Sequence, residues 1–569
     1  AMREQGVDVL VIGGGITGAG IALDAATRGY RVGLVERGDF ASGTSSWSTK
    51  LVHGGIRYLP EGDVPLVREA LIERGRLLAN APHLVHPLAF VLPLYGFSRH
   101  PVGLPIAPPG GIGLSLILDT GLWMYDALAG RHNVARHQKI GRDEVLRRAP
   151  GLRADDLRLG FIYPDAQTDD TRLTLAVLRT AAEEGALIAN YAEVTGFERA
   201  ADGQVRAARV RAYRAGGDGD GAKMVIPARH IVNATGVHAE QVEALTGETP
   251  QLDIEPSKGV HLVVRREAVE IERDAIVLPE TEDRRILFLV PWRSRVIVGT
   301  TDTGSGDLDH PTANADDVGY LLHHLNRSLR RPLKPSDVVS TYAGYRPLLR
   351  LRHTRTPARL SRTHAVVRGT SGVISISGGK MTTYRVMARD ALDLIGRLDG
   401  ESRSCRTERW PLAGAAGWPN AADELARRGE RIGLGAETVA HLGASLGTLS
   451  LEVLELVESD PALAARLDPE LPAIRAEVVY AARSELALTV ADVLARRLRM
   501  DLEAADHGVG AAQQVATLLA DELHWDAGER EREVSEYVAY AKARSAGLEL
   551  PLTRAATEGA GREPPPDTA

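Results

Sequence analysis

Short apolar runs and a helical pattern alternate at the start of the chain. Residues 7–12 (VDVLVI) have the length and composition of a buried strand, and residues 16–28 follow with the spacing of a helix. A second apolar run, residues 32–35 (VGLV), ends at Glu36. The glycine-rich turn GGGITG, residues 13–18, joins the first strand to the helix. This order of strand, glycine turn, helix, strand and acidic residue predicts a dinucleotide-binding unit.

Each part of this unit has a physical role toward a nucleotide. Gly13 allows the tight turn, Gly15 lets a pyrophosphate approach the backbone, and Gly18 lets the helix pack closely on the strand. The helix N-terminus offers N–H groups and a positive dipole end to the anion. Glu36 can accept hydrogen bonds from ribose hydroxyls. NAD and FAD both use such a turn, so the turn alone does not choose between them.

Two later strand-and-turn patterns return to the same kind of site. Residues 231–236 (IVNATG) predict a strand that runs into a small glycine turn. Residues 373–380 (VISISGGK) predict another strand and turn, followed by a helix over 381–398. Further strands, which we expect to form a second sheet, are predicted at 256–264, 276–278, 286–291, 295–300 and 338–346.

The composition changes after about Gly400. Residues 420–543 are rich in Ala, Leu, Glu and Arg and predict a separate helical domain. The end of the chain carries three consecutive prolines, 564–566, and predicts a disordered tail. A chain of 569 residues is too long for one core, so several domains are expected.

Composition and charge exclude some classes of function. The net charge of −7 gives no reason to expect nucleic acid binding, and the single cysteine, Cys405, excludes an intrachain disulfide and a thiolate metal cluster. We expect no bound metal. The first strand begins so early that we expect no signal peptide, and no segment has the length of a membrane span. Residues 110–123 (GGIGLSLILDTGLW) predict either a buried helix or a surface that contacts a membrane or an apolar co-substrate.

Six motifs together resemble one family. They are IGGGITGAG (12–20), TSSWSTKLVHGGIRYL (44–59), VNATG (232–236), VGTTD (298–302), GYRPL (344–348) and GGKMTTYR (378–385). The chain resembles the FAD-dependent sn-glycerol-3-phosphate dehydrogenases, the respiratory, quinone-linked kind with a fold related to the D-amino-acid oxidases. The C-terminal helical region resembles the additional domain of that family.

The resemblance implies an α/β fold: an FAD-binding Rossmann-like domain, an inserted mixed-sheet substrate domain and a C-terminal all-helical domain. The oxidoreductase region would span 1–400, and the helical domain 405–546, with the disordered tail at 547–569. Within the first region, the implied FAD-binding segments are 7–60, 157–240 and 365–400, and the implied substrate segments are 61–156 and 241–364.

The resemblance also implies noncovalent FAD. The implied cofactor-binding residues are Gly13, Gly15, Ile16, Thr17, Gly18, Glu36, Arg37, Thr44, Ser45, Ser46, Lys50, Leu51, His53, Ala234, Thr235, Gly236, Gly379, Lys380, Met381, Thr382 and Thr383. It implies peripheral attachment to the cytoplasmic face of the cell membrane and a membrane quinone as electron acceptor, and it allows a homodimer.

Oxidation of a secondary alcohol removes a hydride, which FAD accepts at N5, and a proton. A substrate phosphate needs more than one cation, preferably guanidinium groups. The resemblance implies Arg57, Arg346 and Arg362 as substrate arginines.

Tyr58 could donate to the phosphate, and Lys380 could stabilise a developing alkoxide. We therefore expect Arg57, Tyr58, Arg346, Arg362 and Lys380 to bind substrate, and His53, Arg346 and Lys380 to be catalytic.

The general base is left open between two histidines. His53 is favoured because an imidazole titrates near neutral pH, and His261 is the second candidate. Lys258 is also possible, and Thr301 and Asp302 are expected to shape the site.

Three functions therefore compete: a quinone-linked glycerol 3-phosphate dehydrogenase, an oxidase of the same fold, and a flavoprotein scaffold without catalysis. The oxidase would reduce oxygen to hydrogen peroxide, and a variant of it would act on amines or amino acids.

Overall fold

The computed structural model describes residues 1–569 except 97, 99–101, 103–112, 214–220, 284, 305, 351–362 and 550–569. The strands are β1 (Val7–Ile12), β2 (Val32–Val35), β3 (Leu51–Val52), β4 (His86–Tyr95), β5 (Gln138–Gly141), β6 (Leu157–Gln167), β7 (Leu187–Ala189), β8 (Ala192–Arg199), β9 (Val205–Ala212), β10 (Ala222–Asn233), β11 (Ile254–Arg265), β12 (Ala275–Val277), β13 (Phe288–Trp292), β14 (Arg295–Gly299), β15 (Val338–Leu349), β16 (His364–Arg368) and β17 (Ile374–Gly378). The helices are α1 (Met2–Gln5), α2 (Ile16–Thr27), α3 (Val64–Asn80), α4 (Leu114–Ala129), α5 (Arg142–Arg148), α6 (Asp170–Glu183), α7 (Ala239–Ala244), α8 (Arg266–Val269), α9 (Ala315–Asn326), α10 (Tyr384–Asp399), α11 (Asn420–Arg431), α12 (Ala436–Leu446), α13 (Ser450–Ser459), α14 (Arg475–Glu485), α15 (Met500–Glu503), α16 (Val509–Leu523) and α17 (Ala527–Glu549), with a π-helical turn at Asp492–Arg497.

The first sheet is built around the predicted dinucleotide-binding unit. Its main path runs β16-β17-β10-β1-β2-β7, and β8 and β9 extend it from β10. Strand β1 is parallel to β2 and β10, and β17 is parallel to β10. Because parallel strands end at the same edge, the turns after β1, β10 and β17 meet there. The sequence-based prediction that these turns converge is confirmed.

The second sheet has nine strands in the order β15-β11-β14-β13-β12-β4-β6-β3, with β5 paired to β6. Strands β3 and β6 belong to this sheet, because Leu51 pairs with Gln167 and Phe90 pairs with Tyr163. The segments predicted to bind FAD, 7–60 and 157–240, therefore contain strands of both sheets. An apolar run predicts a buried strand, but it does not say which sheet the strand joins.

A helical domain follows the two sheets, as predicted. The described part of α17 continues beyond residue 546, where the sequence predicts the tail to begin. The domain is tied to the first sheet by buried ion pairs: Arg172 on α6 binds Glu485 through two hydrogen bonds of 2.7 and 2.9 Å, and Asp39 binds Arg497. The Asp39–Arg497 pair brings the π-helical turn beside the edge where the glycine turns meet. Helix α17 reaches the same edge through its packing on β15, where Thr341 donates to the Arg544 carbonyl.

The α/β fold with a mixed second sheet and a C-terminal helical domain is therefore confirmed.

Helix α4 shows which of the two predictions for residues 110–123 is correct. Leu118, Leu122 and Tyr125 are buried, whereas Leu116 is 69% exposed and Trp123 is 60% exposed. The helix is therefore not simply buried: one face packs inward and the other is an exposed apolar surface. Residues 110–112 lie outside the described part of the chain.

Candidate active site

A cavity of about 1190 Å³ opens at the edge where the glycine turns meet. Residues of both sheets and of the helical domain line it. Sites for drug-sized ligands usually occupy about 300–1,000 Å³, so this cavity is large enough for a dinucleotide and a small substrate together.

The glycine turn after β1 has no room for side chains. Gly13 has a φ of 111°, and a Cβ atom on it would lie 2.7 Å from the carbonyl oxygen of Ala234. A Cβ atom on Gly18 would lie 1.9 Å from the Gly13 carbonyl oxygen, because α2 packs directly on the turn. Gly13, Gly15, Ile16 and Thr17 line the cavity, whereas Gly18 acts behind them through this close packing.

Glu36 is held in place by backbone amides. The N–H groups of Gly14 and Gly38 donate to its two carboxylate oxygens over 2.6 and 2.9 Å. Burial raises the pKa of Glu36, and the two backbone bonds oppose that rise by favouring the charged form. Its neighbour Arg37 also lines the cavity and is paired with Asp309. The carboxylate is therefore fixed at the nucleotide end of the cavity.

The hydroxyl-rich loop divides into residues that face the cavity and residues that support it. Thr44 and Ser45 line the cavity, and Ser45 Oγ accepts a 2.9 Å hydrogen bond from the Ile16 amide. Leu51 and His53, further along the chain, also line it. The loop therefore closes over the N-terminus of α2.

Ser46 and Lys50 lie behind the wall, in contrast to the sequence-based expectation. Ser46 bonds the Ala41 carbonyl, and Lys50 is fully buried, with its ammonium bonded to Asp170 and to the Ser46 carbonyl. Burial lowers the pKa of Lys50 to about 8. These side chains make their polar contacts inside the protein, so they stabilise the loop from behind. A polar motif in sequence does not distinguish the two faces of a loop.

The turns after β10 and β17 complete the cofactor end. Ala234, Thr235 and Gly236 line the cavity after β10. Gly379, Lys380, Met381 and Thr382 line it after β17. Thr383 does not line it: this residue is 1% exposed, and its hydroxyl donates to the Lys380 carbonyl over 3.3 Å.

Three predicted substrate residues meet at one aromatic ring. Lys380 Nζ lies 4.1 Å from the centre of the Tyr58 ring, and the Arg57 guanidinium carbon lies 5.0 Å from it. Arg57 also donates a 3.2 Å hydrogen bond to the Tyr58 hydroxyl. Two positive charges are thus concentrated at one place in the cavity wall, which favours an anionic ligand.

Arg346 lies on β15 and supplies another guanidinium to the cavity. Its Nη2 donates to Thr300 Oγ1 over 3.0 Å, and both Nη atoms lie within 3.4 Å of the Thr301 carbonyl oxygen. Asp302 is 3.6 Å away and also lines the cavity. Arg346 is thus held by a strand, β15, as predicted. Arg362 lies outside the described residues.

The two candidate bases differ in their surroundings. The backbone N–H of His53 donates to Thr382 Oγ1 over 3.3 Å, and the next amide, of Gly54, donates to Asp165 over 3.2 Å. His261 is 2% exposed, stacks on Tyr342 with ring centres 4.6 Å apart, and contacts Thr49 at 2.9 Å. Burial lowers the pKa of His261 well below its ordinary value.

Several cavity residues have no motif that could have revealed them. Asp165 lines the cavity and is bonded by Arg74 and Tyr125, each over 2.7 Å. Arg496, Tyr540 and Arg544 reach the cavity from the helical domain. In the sequence they lie in ordinary helical patterns far from every glycine turn, so only the fold brings them to the site.

The donor set fits FAD. The side-chain-free surface at Gly13, the helix N-terminus behind Ser45, and the fixed Glu36 carboxylate match a pyrophosphate and an adenosine ribose.

Residues 8–385 match the family model described as FAD dependent oxidoreductase. Residues 405–530 match the C-terminal domain of alpha-glycerophosphate oxidase.

Glycerol-3-phosphate dehydrogenase 2 of Mycobacterium tuberculosis is 39% identical to this chain over 539 residues, which cover 94% of this chain and 88% of that protein. This chain belongs to the FAD-dependent glycerol-3-phosphate dehydrogenase family. The mitochondrial glycerol-3-phosphate dehydrogenase of Bos taurus is 34% identical over 93% of this chain and 72% of its own length.

A solved structure supports the family and the cofactor. The glycerol-3-phosphate dehydrogenase of Bacillus halodurans, complexed with FAD, has a TM-score of 0.78 and 30% identity, and the match covers 96% of this chain and 97% of that chain. The predicted family and the predicted cofactor, FAD, are confirmed.

Proposed function

We propose that this enzyme oxidises sn-glycerol 3-phosphate to dihydroxyacetone phosphate and passes the electrons to a membrane quinone. The observation that supports this substrate is the cluster of Arg57 and Lys380 at Tyr58, which lies in the same cavity as Arg346. A phosphate dianion is the ligand that such a set of cations favours, whereas a carboxylate substrate would need fewer. A scaffold without catalysis would have no use for this cluster beside the cofactor.

The chain's own residues would perform two tasks. Arg57, Arg346 and Lys380 would bind the substrate phosphate or the developing alkoxide, with Tyr58 as a further donor. His53 would accept the hydroxyl proton, because an imidazole titrates close to neutral pH. His261 is the weaker base, since burial lowers its pKa. FAD, when bound, supplies the hydride acceptor.

The proposed contact with a membrane rests on α4. Its outer face exposes Leu116, Ile117, Trp123 and Met124. Apolar side chains clustered on one helix face, with an aromatic residue among them, are typical of a surface that enters the lipid interface. Among the described residues, no helix is long and apolar enough to cross a membrane. The contact that we propose through this face of α4 is peripheral and lies at the cytoplasmic side of the membrane.

The inner face of the same helix reaches toward the active site. The Tyr125 hydroxyl donates to Asp165, which lines the cavity and accepts the Gly54 amide beside His53. One helix thus separates the exposed apolar face from the cavity wall. A quinone in the lipid interface would approach the protein there, which supports the quinone over oxygen as acceptor.

Reoxidation kinetics test the acceptor. Enzyme reduced with substrate would be mixed with vesicles that contain a long-chain quinone, with a soluble short-chain quinone, or with oxygen. We expect faster reoxidation by both quinones than by oxygen. The double variant Leu116→Ser/Trp123→Ser should lose the reaction with vesicles and keep the reaction with the soluble quinone. Faster reoxidation by oxygen, with hydrogen peroxide released, would instead identify an oxidase.

A matched control uses an exposed leucine elsewhere. Leu187, on β7, is 38% exposed, so Leu187→Ser removes a similar side chain from another surface. This variant should behave like the parent enzyme with vesicles. Equal losses in the control and in the α4 variant would contradict the assignment of α4 as the membrane contact.

A further inference from the structure

Arg544, near the end of α17, carries a positive charge into the cavity from the helical domain. Its guanidinium carbon lies 3.8 Å from the centre of the Trp47 ring and 4.8 Å from that of Tyr540. All three residues line the cavity. The family match to the C-terminal domain ends at residue 530, so Arg544 lies beyond the matched segment.

The charge of Arg544 has no anionic partner in the part of the chain that the structure describes. No carboxylate there forms an ion pair with it, and its buried Nε makes no hydrogen bond. The neighbouring Arg496 differs, because it forms an ion pair with Asp39. A half-buried guanidinium without an anion is unfavourable, and a phosphate group matches its planar donors.

Trp47 links Arg544 to both places where a phosphate is expected. Trp47 directly follows the turn that contains Ser45, whose hydroxyl bonds the N-terminus of α2. On its other side Trp47 packs against Gly344: a Cβ atom there would lie 2.5 Å from that of Trp47. Gly344 is on β15, the strand that carries Arg346.

The backbone at Arg544 is held in register with the site. Thr341, on β15, donates from its hydroxyl to the Arg544 carbonyl over 3.1 Å. The neighbouring Ser545 hydroxyl contacts His507 Nε2 at 2.8 Å. Tyr540, one turn earlier, donates to Asp501 over 3.3 Å. The arginine is therefore mounted on a helix that is fixed to the strand of Arg346.

We propose that Arg544 binds a phosphate group in the cavity and makes the C-terminal helix part of the ligand site. The phosphate belongs either to the pyrophosphate of FAD or to sn-glycerol 3-phosphate, and in the second case the inference rests on the proposed function. The shared chemistry is a charge-assisted hydrogen bond from the guanidinium to a phosphate oxygen. Such a bond corresponds to a change of about 10- to 100-fold in affinity.

Two titrations on Arg544→Met test the proposal. The dissociation constant of FAD is measured on apoprotein by quenching of flavin fluorescence, without substrate. The KM for sn-glycerol 3-phosphate is measured at saturating FAD. A rise of about 10-fold or more in the FAD constant alone assigns the pyrophosphate, and the same rise in KM alone assigns the substrate phosphate. If both constants stay within about twofold of the parent values, the proposal is wrong.

Two more variants separate charge from packing. Arg544→Lys keeps the charge without the planar donors, so it should show a smaller loss than Arg544→Met; equal losses would indicate packing and overturn the proposal. Lys542→Met removes an exposed charge from the same helix and should change neither constant. Because the FAD titration needs no substrate, it can be interpreted even if glycerol 3-phosphate fails to reduce the parent enzyme, a result that would overturn the proposed function instead.

Discussion

Lys380 lies over the ring of Tyr58, with its ammonium nitrogen 4.1 Å from the ring centre. Lys380 follows β17 of the first sheet, and Tyr58 ends a short turn after β3 of the second. The contact therefore joins the cofactor side of the cavity to the substrate side. An ammonium over an aromatic face is attracted to it, and the ring fixes where the charge points.

Lys380 should act on the chemical step. Lys380→Met should lower kcat/KM by about 100-fold, because one charge is lost near the developing alkoxide. FAD content should not change, since the glycine turn and Glu36 are untouched. Steady-state kinetics and the flavin absorbance of the purified protein give both quantities. Lys139→Met, at an exposed lysine, is the control, and release of FAD from Lys380→Met would show that the residue is a cofactor support.

Arg346 should act on substrate affinity. Arg346→Ala would remove the charge-assisted hydrogen bonds that we propose Arg346 makes to the phosphate, so the KM for glycerol 3-phosphate should rise by about 100-fold while FAD stays bound. Arg350→Ala, which removes an exposed arginine beyond the end of the same strand, should leave the KM unchanged. An unchanged KM in Arg346→Ala would remove this residue from the phosphate site.

The fold around the cofactor could be predicted well from sequence, for a physical reason. A nucleotide site of this kind needs a turn without side chains, a helix N-terminus and an acid at fixed spacing, and GGGITG with Glu36 has them. Which strand belongs to which sheet was harder to predict from the sequence. Strand β6 reads as an apolar run, and its pairing with β4 depends on contacts between segments distant in sequence.

The site could be predicted only as far as motifs reach. Arg57, Arg346 and Lys380 come from three motifs, and the structure brings all three to one cavity. Lys50 stands in a motif too, yet it points into the protein, because burial is decided by tertiary packing. Arg544 is the opposite case. No local sequence pattern indicates that it belongs to the site, and the packing of α17 on β15 brings it to Trp47.

The general base can be assigned from pH profiles of kcat/KM. His53→Asn should lower kcat/KM by about 100- to 10,000-fold and abolish the acid limb, because the imidazole that accepts the substrate proton is removed. His261→Asn should keep that limb, since burial holds the pKa of His261 well below its ordinary value and the residue is already neutral at neutral pH. Loss of the limb in His261→Asn alone would assign the base to His261.

Glu533 in the helical domain predicts a pH dependence of stability. Burial raises its pKa to about 7, and only one of its carboxylate oxygens has a partner in the described structure, the Val490 amide at 3.1 Å. The unfolded chain titrates at about 4.3. The folded state therefore binds the proton of Glu533 more tightly than the unfolded chain does. The stability that results is fully present below about pH 4.3 and is lost as the pH rises through about 7.

Glu533→Gln should accordingly stabilise the protein more at alkaline than at acidic pH. The gain in the free energy of unfolding should be larger at pH 8 than at pH 5 by about 2 kcal/mol, as measured by denaturant unfolding at both values. Glu536→Gln replaces a glutamate on the same helix that is 55% exposed, and it should give no such difference. A gain that is equal at both pH values would contradict the account.

We propose that the cavity holds FAD beside a binding site for glycerol 3-phosphate. The most direct measurement is anaerobic mixing of the purified holoenzyme with sn-glycerol 3-phosphate while the flavin absorbance band is followed. We expect the band to bleach, and glycerol without the phosphate should bleach it far more slowly at the same concentration, because glycerol offers no phosphate to Arg57, Arg346 and Lys380. A band that stays unchanged with glycerol 3-phosphate would contradict the account.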